Sequence, residues 1–267
     1  MILTKRQKFV ASSLLLGAFF FVIQFIDFEY RYLSVLGLVL SSVAISGWAL
    51  KDGLGKNATL LSLLLPALFT VGTQLFFLGL EDSPFFLSLF GVFKTIIRVL
   101  IVFAYIVGIY ALFLTSNIYN VATARTIQLL RAAHAVGFVL TLATAFFMFN
   151  TILAWRPDFW IIGIGMGLVS YPLFLQGFWS IELEHKLSPE IKTLSLGLSL
   201  IVAEIATILA FWPITVPVGS LALTTILYIG LGLGQAKLQQ RLFEKTVREY
   251  LIVGLFVFVI MFFTARW

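Results

Sequence analysis

The sequence predicts an all-α protein, a polytopic transmembrane helical bundle of about nine spans, with its N-terminus inside and its C-terminus outside. Three observations predict it. The 267-residue chain is 61% hydrophobic and 11% charged, with a mean hydropathy of +1.06, whereas soluble domains carry about 25% charged residues. Its apolar residues fall into successive runs that can cross a hydrocarbon core of about 30 Å at about 1.5 Å per residue. Tryptophan and the cationic residues gather where those runs end, as side chains at a membrane–water boundary do.

The runs lie near Phe9 to Ile26, Tyr32 to Leu50, Ala58 to Leu80, Thr95 to Leu114, Ala135 to Ala154, Phe159 to Trp179, Thr193 to Phe211, Val218 to Leu233 and Leu251 to Thr264. The first follows Lys5, Arg6 and Lys8 and stays apolar to Ile26 with no small-residue cleavage site after it, so it reads as an uncleaved anchor. The seventh shows how an end is written. Ser188 can accept from free amides of the first turn, and Pro189 at the first helical position gives up a donor that has no partner there. Trp212 and Pro213 close it. Pro66 and Pro172 fall inside spans and should kink them, freeing carbonyls.

With the N-terminus inside, the cytoplasmic connections hold Lys5, Arg6, Lys8, Lys51, Lys56, Arg125, Arg131, Lys186, Lys192, Lys237, Arg241, Lys245 and Arg248, and the other face holds Arg31, Lys94, Arg98, Arg156 and Arg266. That asymmetry sets the orientation. Independently of charge, Trp48, Trp155, Trp160, Trp179, Trp212 and Trp267 all fall at or near span ends. No polar segment approaches the roughly 50 residues of a soluble domain, so a single integral membrane domain over 1–267 is expected.

Three connections read as more than turns. Glu81-Asp82-Ser83-Pro84 starts a helix whose next residues, Phe85 to Phe93, are apolar all round, a re-entrant or surface-lying lead-in to the fourth span. Residues 117–134 and 235–249 read as amphipathic cytoplasmic helices. In the second of these, Lys237, Arg241, Lys245 and Arg248 recur at helical spacing, which suits an anionic membrane surface.

The candidate ionisable site is Glu204, nearly central in the run Thr193 to Phe211 and its only charge. A carboxylate at depth is expensive and raises a functional question. It is either a proton or cation site beside Thr207 and the small residues Ser195, Ser199 and Ala203, or a protonated acid bonded to a neighbouring helix. Lys94 and Arg98, four apart, share a helix face; they hold an anionic headgroup or substrate, pair with an acid, or snorkel to the boundary. Glu182 and His185 have the spacing of a metal-binding Glu-x-x-His, but no second such pair exists, so they read as solvated and no metal site is expected. Gly163, Gly165 and Gly167, with Gly230, Gly232 and Gly234, read as close-packing faces.

The chain has no cysteine, which excludes disulfides and thiolate chemistry. It also lacks nucleotide-loop, zinc-protease and serine-hydrolase motifs. No cofactor is expected. The net charge of +6 belongs to membrane flanks, so the expected partners are membrane lipids, anionic on the cytoplasmic face, and protein partners, with no nucleic acid.

At Leu112 to Phe138, LFLTSNIYNVATARTIQLLRAAHAVGF, and at Leu242 to Arg266, LFEKTVREYLIVGLFVFVIMFFTAR, the chain resembles a family of uncharacterised multi-span membrane proteins from uncultivated, small-genome bacteria. The resemblance implies a helical fold in a bacterial plasma membrane and carries no activity or site residue. The expected function is a non-enzymatic scaffold or subunit binding lipid and partner proteins. A small secondary transporter with a site at Glu204 and a lipid-modifying intramembrane enzyme are the alternatives.

Overall fold

A computed structural model describes residues 4–26, 28–51, 59–122, 128–184 and 187–265. They form α1 (Lys5–Ile23), α2 (Arg31–Leu50), α3 (Thr59–Glu81), α4 (Pro84–Ser88), α5 (Gly91–Ala122), α6 (Leu130–Ala154), α7 (Phe159–Glu182), α8 (Pro189–Leu209), α9 (Val216–Leu238) and α10 (Glu244–Thr264), with a 3-10 turn at Phe28–Tyr30. Among the described residues there is no strand, and nine helices, all but α4, are long and apolar enough to cross a membrane.

Local chemistry sets the ends. Thr4 and Gln7 form a reciprocal capping box at the start of α1, satisfying two amide donors that the first turn leaves free. The Ile191 amide donates to Ser188 Oγ at 3.2 Å, with Pro189 in the first turn of α8. The same device starts α4, where the Phe86 amide donates to Ser83 Oγ at 3.2 Å ahead of Pro84. Leu89 then adopts an extended backbone. The apolar lead-in is therefore a separate short helix, and α5 starts afresh at Gly91.

Both expected cytoplasmic helices are redrawn. The stretch 117–134 holds the end of α5 and the start of α6, while 123–127, with Arg125, lies outside the described residues. The 32 residues of α5 measure about 48 Å, well beyond a core of about 30 Å. Polar residues at its end extend the span instead of starting a new element. The stretch 235–249 is broken between Leu238 and Glu244. Gln240 has a left-handed φ of 55°, its amide donates to the Lys237 carbonyl at 2.9 Å, and the Arg241 amide reaches back to the Ala236 carbonyl at 2.8 Å. This pair of reversed bonds consumes the free carbonyls and ends a helix. Lys237 therefore sits on α9, Arg241 in the link, and Lys245 and Arg248 on α10.

The chain divides into two compact units, Met1–Leu140 and Thr141–Trp267. In the first, α1 packs on α2 and α5, and α3 on α2 and α5. Its centre is aromatic: Tyr105 stacks on Phe20 with ring centroids 4.6 Å apart and on Phe69 at 5.9 Å. Pro66 lies inside α3 and has no amide to offer the Ser62 carbonyl four residues back. Ser116 of α5 donates to that carbonyl at 3.1 Å.

In the second unit α7 packs on α8 and α9, and α10 on α9. The two glycine triplets divide their labour. Gly163 and Gly167 meet Thr207 and Ala203 of α8, while Gly165 between them faces Ile152 of α6. Gly230 and Gly234 meet Phe174 and Phe178 of α7, and Gly232 meets the Tyr250 ring of α10. Residues two apart on a helix point to different sides, so each triplet lets neighbours approach on two sides. Met261 is the one buried residue of α10 among those described, and Leu255, Phe256 and Phe263 are exposed. An apolar surface of that extent calls for a lipid solvent.

Candidate functional site

Glu204 projects from the outer surface of α8, exposed, five residues before the helix ends at Leu209. That is about 8 Å along the axis. Because the helix begins at Pro189, its midpoint falls near Ser199 and Glu204 lies toward its C-terminal end. The residue borders a groove of about 570 Å³ between α7 and α8. Gly163 and Gly167 form a shallow floor, Phe159 and Trp160 stand at one end, and Leu200, Ala203 and Thr207 line the α8 side.

The two hydroxyl groups that α8 contributes to the groove are already engaged. Thr207 Oγ1 donates to the Ala203 carbonyl at 2.8 Å and Ser199 Oγ to the Leu196 carbonyl at 2.8 Å, both within α8. Glu204 makes no hydrogen bond or ion pair among the described residues. The small-residue stripe anticipated on α8 is there: Ser195 and Ser199 are buried, and Ala203 lies against Gly167.

Arg98 has an acidic partner that the sequence reading did not name. Its Nη2 lies 2.8 Å from Glu81 Oε1 and its Nε donates to the same oxygen at 2.9 Å. Arg31 adds its Nη2 at 3.9 Å from Glu81 Oε2 and its Nη1 at 3.2 Å from Asp82 Oδ1. The Arg98 guanidinium also stands over the rings of Phe25 and Phe86, 5.4 and 5.9 Å from their centroids, faces that attract a cation. The Glu81 side chain is only 4% exposed, and burial is tolerable for such a group because it is paired. Lys94, one turn before Arg98, is half-buried and joins no ion pair among the described residues. The signal for Glu81 was present in the spacing of Thr70, Gln74 and Glu81, which places it on the buried face of α3.

The basic candidates divide. Lys237 Nζ lies 3.3 Å from Glu190 Oε1, and Lys245 Nζ 4.0 Å from Glu249 Oε1, exposed pairs of small energetic weight. Arg241 and Arg248 are exposed and make no ion pair among the described residues. Glu182 ends α7, and His185 lies outside the described residues.

A family model described as "Protein of unknown function (DUF5656)" matches residues 25–264. No curated protein and no solved structure matches the chain.

Proposed function

The chain belongs to that family of unknown function, and from this premise we propose that it is a non-enzymatic membrane subunit or scaffold that docks a partner's transmembrane helix in the α7–α8 groove. The observation that carries the reading is Glu204, an unpaired carboxyl exposed beside an almost wholly apolar groove. A carboxyl left against lipid is costly. A helix presenting a basic or hydrogen-bond-donating side chain at that depth removes the cost, while the recessed Gly163 and Gly167 let its backbone come close. Arg241 and Arg248, with Lys237 and Lys245 beside them, supply a basic end suited to anionic headgroups. We assign the chain to a bacterial plasma membrane, with that basic end cytoplasmic.

Transport at Glu204 is the weaker reading, because a proton or solute path needs polar walls and this groove has nearly none. The test is native mass spectrometry after mild detergent extraction. The wild-type chain should carry a second polypeptide, and Glu204→Leu, apolar like the groove, should release it with thermal stability unchanged. A chain that is alone in both cases, or a complex that Glu204→Leu leaves intact, overturns the proposal.

A further inference from the structure

The first unit buries a polar seam between α3 and α5. It is closed at three levels: Ser116 Oγ donates to the Ser62 carbonyl at 3.1 Å, Thr70 Oγ1 and Tyr105 Oη are 3.0 Å apart, and Arg98 holds Glu81 at 2.8 Å. Between the second and third levels lies Gln74, fully buried at 0% exposure, with neither its amide nitrogen nor its amide oxygen hydrogen-bonded. Thr70, Gln74 and Glu81 follow one another by four and seven residues, so they share a face of α3. Gln74 sits about 6 Å from the level of Thr70 and about 10 Å from that of Glu81. At the Glu81 end, Oε2 accepts no hydrogen bond.

Gln24, the C-cap residue just past α1, is a second such amide. It is 3% exposed and also has both amide atoms unbonded. It follows Phe20, which packs on Phe77 and Tyr105, by one turn, and it precedes Phe25, whose ring takes the Arg98 guanidinium.

Inside a bilayer no lateral water reaches such groups, and each one left unbonded costs several kcal/mol. The unmet groups are of both kinds: amide nitrogens need an acceptor, while amide oxygens and Glu81 Oε2 need a donor. A bare cation satisfies only the oxygens and an anion only the nitrogens. We infer that the seam between Gln74 and Glu81 binds water, the smallest ligand that donates and accepts together. The first unit thus holds a hydrated polar site within its span, chemically unlike the apolar groove beside Glu204.

The cysteine-free sequence makes the test direct. In reconstituted vesicles, Gln74→Cys should react with the small water-soluble reagent methanethiosulfonate ethylammonium an order of magnitude faster than Leu16→Cys, a control equally buried in apolar surroundings. Equal, slow reaction overturns the inference. Radiolytic hydroxyl-radical footprinting of the unmodified chain keeps the question answerable if Gln74→Cys misfolds. Bound water should oxidise Tyr105 and Phe77 above Phe113, whose ring is as buried as theirs. Labelling no higher than at Phe113 contradicts it. A small polar solute in place of water would protect Gln74→Cys and leave Tyr105 and Phe77 unlabelled, which also counts against the inference.

Discussion

Glu81 shows how much a single side chain can organise. It brings Arg98 of α5 and Arg31 of α2 to the end of α3, with Phe25 and Phe86 covering the Arg98 guanidinium. Removing one member of a buried pair leaves the other charged and unmatched, which costs about 3 kcal/mol at the lower end of the usual range. Arg98 retains 26% exposure, and that limits the loss. Glu81→Ala should therefore lower the thermal unfolding midpoint clearly. The double change Glu81→Leu with Arg98→Leu should recover much of the loss, because two apolar groups leave no orphaned charge. A double variant as unstable as Glu81→Ala would mean the pair's geometry, not its charge balance, holds the three helices.

The sequence concealed this pair for a physical reason. A carboxylate followed by Asp82, Ser83 and Pro84 has the look of a helix boundary, where charge is solvated. Its partner lies 17 residues on, past α4 and a helix restart, so no local spacing connects them. Glu204 was visible because it interrupts an apolar run. What the sequence could not show was its direction, since exposure is decided by which face of α8 the glycines of α7 select.

At the scale of the element, the helices compensate one another's defects. Pro66 withholds a donor from the Ser62 carbonyl, and Ser116 supplies one from α5. The two residues should be energetically coupled. Ser116→Ala alone removes the hydrogen bond that Ser116 Oγ donates to that carbonyl and should lower stability by about 1 kcal/mol. In a Pro66→Ala background the backbone closes its own bond, and Ser116→Ala should then cost little. A double-mutant cycle on thermal stability reads the coupling, and strict additivity would show that the Ser62 carbonyl finds another donor.

Element existence was legible because every long apolar run became a helix. Ends were less so. The runs expected at Val218–Leu233 and Leu251–Thr264 extend to Leu238 and begin at Glu244, since backbone hydrogen bonding continues through Gln235 and Lys237 regardless of polarity. The break between them depends on Gln240 in a left-handed conformation, a place where glycine is the usual marker; without that marker a continuous basic helix looked equally natural.

For the whole molecule, the two units differ in character. The first buries Glu81 and Gln74 in a seam, and the second carries the carboxyl of Glu204 exposed beside an apolar groove. The two proposals accordingly rest on different units, helix docking on the second and bound water on the first. Hydropathy alone distinguishes neither, because both units are equally apolar along the chain and differ in which face of each helix turns inward.

Docking of a helix beside Glu204 is tested most directly by a photoreactive benzoylphenylalanine at Leu200, a groove-lining position, irradiated in native membranes. The account predicts a cross-link to one defined transmembrane segment with a donor side chain at the depth of Glu204, lost when Glu204→Leu is added. Adducts to lipid alone, or a polypeptide adduct indifferent to Glu204→Leu, would contradict it.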